Sequence, residues 1–182
     1  MRIAICIVVS ISLSSLAIAQ NIDLSKQVAG DETRLIELFK RLHANPELSM
    51  QEVETAATIA KEFQEHGFEV HTGINKTGVV GLMMNGPGPV VMFRADMDAL
   101  PLKEESGLPY ASAKNGTTLD GIKSYITHAC GHDAHVTWLI GVAKVMAKRK
   151  DQWSGTLILL GQPAEGSYRD GSPSHLSLPD HC

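Results

Sequence analysis

"AHVTWLIGVAKVMAKRKDQWSGTLILLGQ", residues 134–162, decides the fold class. Residues 134–150 form an apolar stretch of helical length. Ser154-Gly155 then turns the chain into residues 156–162, an apolar run that reads as a buried strand. Working outward, "VVMFRADM" (90–97) is strand-like. "GVVGLMMN" (78–85) precedes it and ends at Gly86-Pro87-Gly88-Pro89, a strong turn signal. "FEVHT" (68–72) is a shorter strand candidate. Residues 99–125, with scattered Gly, Pro and Ser, read as loop.

Two helices come before the strands. "DETRLIELFKRL" (31–42) places Leu35, Ile36, Leu38, Phe39 and Leu42 at helical spacing, with Asp31 as the expected N-cap. Pro46 disfavours a helical Asn45 and breaks the pattern. Ser49 is positioned to cap the next helix, with Glu52 completing a capping box. That helix runs from about 50 to 66 and ends at Gly67. Helix, helix, strands, helix, strand predicts an α/β fold: a partial three-layer sandwich with a mixed, partly parallel sheet.

The chain has 182 residues, 43% hydrophobic and 20% charged, enough for one domain with a core. Its formal net charge is -4, and no basic block appears, which excludes nucleic acid as a partner. Lys148-Arg149-Lys150 reads as the basic end of a helix. Arg2, the apolar run of residues 3–19 and Ala17-Ile18-Ala19 before Gln20 form a signal-peptide pattern. The expected mature chain starts near Gln20, is secreted or periplasmic, and keeps no stable membrane association. Cys6 would leave with the signal. Cys130 and Cys182 remain, and an oxidising compartment permits a disulfide between them. The histidines around Cys130 favour metal or catalytic use instead, because a thiolate is a strong ligand for a borderline metal.

The candidate chemistry sits at strand ends. "ITHACGHDAHVTW" (126–138) concentrates His128, Cys130, His132, Asp133 and His135. If extended, Cys-Gly-His projects Cys130 and His132 to the same side. Asp133 and His135 fall where the helix begins, a favourable place for an acid. His128 is as readily a surface loop residue. "FRADMDALP" closes one strand with Asp96 and Asp98, and Glu165 closes another. The C-terminal ends of parallel strands are where α/β proteins place their sites.

Four blocks then carry a specific resemblance: "RLHANPELSMQEVETA", "FRADMDALPLKEESGLPYAS", "HACGHDAHVTWLIGVAKVM" and "GTLILLGQPAE". In that order they resemble the motifs of the M20 peptidase family. The similarity is to its amidohydrolase branch, which includes hippurate hydrolases, N-acyl-amino-acid amidohydrolases and auxin-conjugate hydrolases. The resemblance implies the N-terminal part of a metallo-aminopeptidase-like catalytic domain with two divalent ions, Zn²⁺ or Mn²⁺. Cys130 and His132 match its first metal ligands. Glu165 matches the general base and is a further candidate metal ligand. Asp98 matches the acid that supports the site, with Asp96 a second candidate. His43 and Glu47 belong to a signature near it. The implied substrates are N-acyl amino acids or related conjugates. Paired cations bind the amide carbonyl and supply hydroxide near neutral pH, a carboxylate carries the proton to the leaving amine, and a histidine ligand needs an acceptor such as Asp98 or Asp133.

The family pattern stops at Glu165, where its Glu-Glu pair reads Glu165-Gly166. Three segments are therefore expected: a signal peptide (1–19), a partial catalytic domain (20–165) and a divergent, disordered tail (166–182). The divergence predicts a truncated product of little activity, in which His175, His181 and Cys182 are not expected to replace the family's later ligands. A non-catalytic metal-binding fragment is the second reading. A thiol enzyme using Cys130 with His128 or His132 is the third. Oligomeric state is left open.

Overall fold

A computed structural model describes residues 12–165, with side chains from residue 24 onward. The elements are α1 (Ser12–Ala44), α2 (Val53–Glu65), β1 (Glu69–Ile74), β2 (Gly78–Asn85) and β3 (Val90–Asp96), then β4 (Asn115–Thr117), β5 (Lys123–Tyr125), α3 (His132–Lys148) and β6 (Gly155–Gln162). The main sheet has the order β1-β2-β6-β3. β3 and β6 are parallel, with Val90 opposite Thr156 and Asp96 opposite Gln162. β2 runs antiparallel to β6, and β1 antiparallel to β2. The sheet is therefore mixed and α/β, with its parallel pair joined through α3, as expected. β2 and β3 are consecutive in sequence, yet β6 lies between them. The Gly86–Pro89 turn must span that strand. Gly155 enables the crossing: it has φ +116°, and a Cβ there would stand 2.2 Å from the Pro89 carbonyl oxygen.

The core lies between the sheet and the helices. Ile59 and Phe63 of α2, Val136, Leu139 and Ile140 of α3, and Leu38 and Leu42 of α1 pack with Val79, Met83, Leu157 and Leu159. Gly81 is needed there, because a Cβ would come within 2.6 Å of the Phe63 ring. Val80, Ile158 and Leu160 alternate to the opposite face and form a separate apolar cluster.

Several local expectations are corrected. α1 runs unbroken through Asp31, so Asp31 caps nothing; its carboxylate pairs with Lys144 and, at 3.9 Å, with Lys148. α2 begins at Val53, and Ser49 does not cap it. The Glu47 carboxylate does so instead, accepting the N–H groups of Glu54 at 3.0 Å and Thr55 at 2.8 Å. Ser49 is drawn away because its hydroxyl donates to Asp98. Glu52 makes no capping bond and is buried. Gly67, at φ +79°, follows α2 as a left-handed terminator, as its sequence position suggests. Residues 99–125 are not all loop, since β4 and β5 pair within them. α3 starts at His132, two residues before the apolar periodicity does.

Residues 1–11 of the signal-peptide reading, Cys182 of the disulfide reading, and the tail 166–182 with His175 and His181 lie outside the described residues. Among the described residues, no helix is long and apolar enough to cross a membrane.

Candidate metal centre

The parallel pairing of β3 and β6 brings two chain ends together. Past β3, the Met97 N–H donates to the Gln162 carbonyl at 3.0 Å, so the strands separate only after Asp96 and Gln162. Asp98 follows, buried, and Glu165 follows β6. α3 then points its first residue, His132, at the same place. Gly131 makes this possible by adopting φ +77°, which L-residues avoid. That turn also overturns the extended reading of Cys-Gly-His. The two side chains differ in burial: Cys130 is exposed and His132 is buried.

His132 is held by one nitrogen. Its Nδ1 lies 2.7 Å from the Asp98 carbonyl oxygen and 3.3 Å from Asp98 Oδ1. A carbonyl only accepts, so Nδ1 carries the proton and, in the neutral ring, Nε2 carries the lone pair. This is the arrangement that prepares a histidine for a metal. Hydrogen bonding to Asp98 raises the His132 pKa above its ordinary value, against the opposing effect of burial. Asp98 is fixed in turn. Its Oδ2 accepts the Ser49 hydroxyl at 2.6 Å, and its Oδ1 accepts the Glu165 N–H at 3.2 Å.

Around His132 the donors converge. Asp96, His132 and His135 each offer one ligand atom, all within 4.8 Å of one another. The two imidazoles stack with centroids 5.3 Å apart, and His135 Nδ1 is 3.9 Å from Asp96 Oδ2. Arg94 donates to Asp96 through Nε at 3.0 Å. Glu165 Oε2 stands 3.8 Å from His132 Nε2. Two imidazoles and a carboxylate suit Zn²⁺ or Mn²⁺, and the second nitrogen of His132 is already committed to an acceptor. The donor set therefore fits a divalent ion.

A second network backs the start of α3. His43 Nδ1 is 2.6 Å from Asp133 Oδ2, and His43 Nε2 is 2.9 Å from Glu104 Oε1. Burial lowers the His43 pKa, but the two carboxylates outweigh it and the net shift is upward. Burial alone would raise the Glu104 pKa. The Ser106 hydroxyl, His43 and the Ser112 N–H reverse that and bring it down to about 2. Asp133 does sit at the helix start, and its Oδ1 accepts the Ala134 N–H at 2.9 Å. His128 is no surface residue. It is buried, its Nδ1 has no hydrogen-bond partner, and burial drives its pKa down to about 4.

Of the residues singled out by sequence, the structure brings together Asp96, Asp98, His132, His135 and Glu165. Cys130 is outside the three-donor group, as is Glu165, which borders it. His43 and Asp133 form the backing layer, and Glu47 serves α2. Ser49 and Glu104 were missed as site residues. Ser49 carries an equally good helix-cap signal. Glu104 lies in a stretch without periodicity, where only the pairing of loop 99–112 with α1 shows its purpose.

The model for peptidase family M20/M25/M40 matches residues 92–180. N-acetyl-L-cysteine deacetylase of Bacillus subtilis is 42% identical over 135 residues, 74% of this chain and 30% of that protein. Hippurate hydrolase of Campylobacter jejuni is 44% identical over 126 residues, 69% of this chain and 30% of that protein. Among solved structures, the Bacillus subtilis YXEP protein, described as a dinuclear metal-binding peptidase of the M20 family, is 38% identical. Its TM-score is 0.65 over 75% of this chain and 36% of that one. This chain thus spans about a third of the length of these relatives.

Proposed function

We propose that this chain belongs to the M20 peptidase family, which the matching model and relatives support, and that it carries part of a metal-dependent amidohydrolase site acting on amide bonds of N-acyl amino acids or related conjugates. The observation that carries the reading is His132. Its Nδ1 is fixed on Asp98, its Nε2 lies 3.8 Å from Glu165 Oε2, and the ring belongs to a group of possible ligands with Asp96 and His135. The names of two relatives, an N-acetyl-L-cysteine deacetylase and a hippurate hydrolase, support this substrate class.

A divalent ion, when bound, supplies Lewis acidity toward the amide carbonyl and lowers the pKa of water. His132, His135 and Asp96 would hold it, joined in our reading by Cys130 and Glu165. Asp98 keeps His132 in the tautomer with Nε2 free. Glu165, beside Nε2, is placed to take a proton from water and pass it to the leaving nitrogen. Family members use two ions, and the second would draw on donors beyond the three grouped here. We further propose that residues 1–19 are a secretory signal, so that the site works outside the cytoplasm.

A second reading is metal binding without hydrolysis: Asp96, His132 and His135 would hold one ion, fewer donors than a dinuclear centre needs. One experiment addresses both. Co²⁺ or Zn²⁺ is titrated into the purified chain, and hydrolysis of hippurate and N-acetyl amino acids is followed. Stoichiometric binding is expected, weakened roughly 10–100-fold by Asp98→Ala, as for loss of a residue supporting a metal-bound histidine. Hydrolysis abolished by His132→Ala supports the enzyme. Binding without hydrolysis supports the second reading, and no binding would refute both.

A further inference from the structure

Glu52 is a completely buried carboxylate that takes no part in the donor group or in capping α2. Its Oε1 accepts the Ala164 N–H at 2.9 Å, and its Oε2 accepts the Thr77 hydroxyl at 2.5 Å. One residue further, the Glu165 N–H donates to Asp98 Oδ1 at 3.2 Å. Two consecutive peptide N–H groups past β6 are thus gripped by two buried carboxylates from different parts of the chain. Ala164 itself has φ +57°, a left-handed conformation that alanine seldom adopts. Such a residue persists only where its surroundings over-determine it. Pro163, just before it, is fully buried against Gly78, where an added Cβ would stand 3.3 Å from the proline ring.

The placement of Glu165 depends on this turn. If Ala164 relaxed to an ordinary φ, the Glu165 Cα would swing away from the end of β3. Its carboxylate would then leave the vicinity of His132 Nε2, where Oε2 now lies at 3.8 Å. A misplacement of about 1 Å is enough to cost catalysis dearly. We propose that Glu52 is a positioning residue: by holding the Ala164 N–H it locks the left-handed turn after β6 and aims Glu165 at the metal-capable group. Thr77 sets the rotamer of Glu52 by engaging its second oxygen. The proposal rests on the reading of Glu165 as the proton-handling carboxylate.

Amide hydrogen exchange of the full chain tests it, read at Ala164 and Glu165 with Leu159 in β6 as reference. Glu52→Asp keeps the charge but is one methylene too short to reach Ala164. Its Ala164 amide should exchange roughly tenfold faster or more, the scale of a lost charge-assisted bond, with Leu159 unchanged. Glu52→Gln presents an amide oxygen to the same N–H and should stay near wild type. Unchanged protection at Ala164 in Glu52→Asp, or an equal loss at Leu159, would overturn the proposal. Should Glu52→Asp fail to fold, Thr77→Val carries the same expectation, because it frees the carboxylate without changing its reach. With hippurate, Glu52→Asp should lower kcat without raising KM, and Glu52→Gln should restore it. Faster exchange with unchanged kcat would also overturn positioning. If the wild type hydrolyses nothing, the functional reading falls, and the exchange data still decide how Glu165 is held.

Discussion

At the scale of single residues, the site depends on partners that sequence proximity does not reveal. His43 is clasped by Glu104 and Asp133, which lie 61 and 90 residues away. The clasp makes stability depend on pH in two directions. The Glu104 pKa falls from 4.5 to about 2 on folding. Its contribution is therefore present above pH 4.5 and is lost as pH drops toward 2. The His43 pKa is raised above 6.5. Its contribution is present below that value and is lost as pH rises through the folded pKa. We expect the difference in melting temperature between wild type and His43→Ala, measured without metal, to be largest between about pH 4.5 and 6.5 and to shrink on both sides. A difference independent of pH would refute the clasp.

At the scale of elements, α2 shows how tertiary demands reassign local signals. Ser49 and Glu52 have the spacing of a capping box, yet Ser49 supports Asp98 and Glu52 is buried against Thr77 and Ala164. The orphan N–H groups of α2 go to Glu47, whose negative charge also suits a helix N-terminus. Urea unfolding should show Glu47→Ala destabilised by about 0.5–2 kcal/mol, the usual scale of a lost cap. Equal stability of Glu47→Ala and wild type would show that the cap is made elsewhere. α3 illustrates the complementary case. Its apolar face is plain in the sequence, but its first turn is set by the left-handed Gly131, so the helix starts on a histidine.

At the scale of the whole molecule, the sheet has a conspicuous edge. Among the described residues nothing pairs with the outer side of β3, and Val90, Val91, Met92 and Phe93 are all exposed, Val90 at 67%. Along this strand the apolar residues do not alternate between a covered and a solvated face. A continuous apolar run belongs to a strand covered on both faces. Left open, such an edge is a template for pairing between chains. Val91→Lys should therefore reduce self-association of the purified chain, read by light scattering at matched concentration, while leaving the far-UV spectrum unchanged. Undiminished self-association would place the sticky surface elsewhere.

The sequence by itself determined the main element types apart from β4 and β5, the mixed sheet and the residues able to do chemistry. These follow from short-range physics: apolar periodicity, the turn at Gly86–Pro89, and acids and histidines clustered at strand ends. Only the tertiary structure decided which of them meet. The insertion of β6 between β2 and β3 brings Glu165 beside His132, and a contact of that kind depends on sheet order, which no local pattern encodes. The same holds for Asp98, whose carbonyl, rather than its carboxylate alone, orients the histidine. Cys130 and His132 are neighbours across one glycine in sequence, but with Gly131 left-handed between them Cys130 is exposed and His132 is buried. Spacing picked out the candidate ligand types, and the tertiary structure decided that His132, behind the left-handed Gly131, is the buried one of the two.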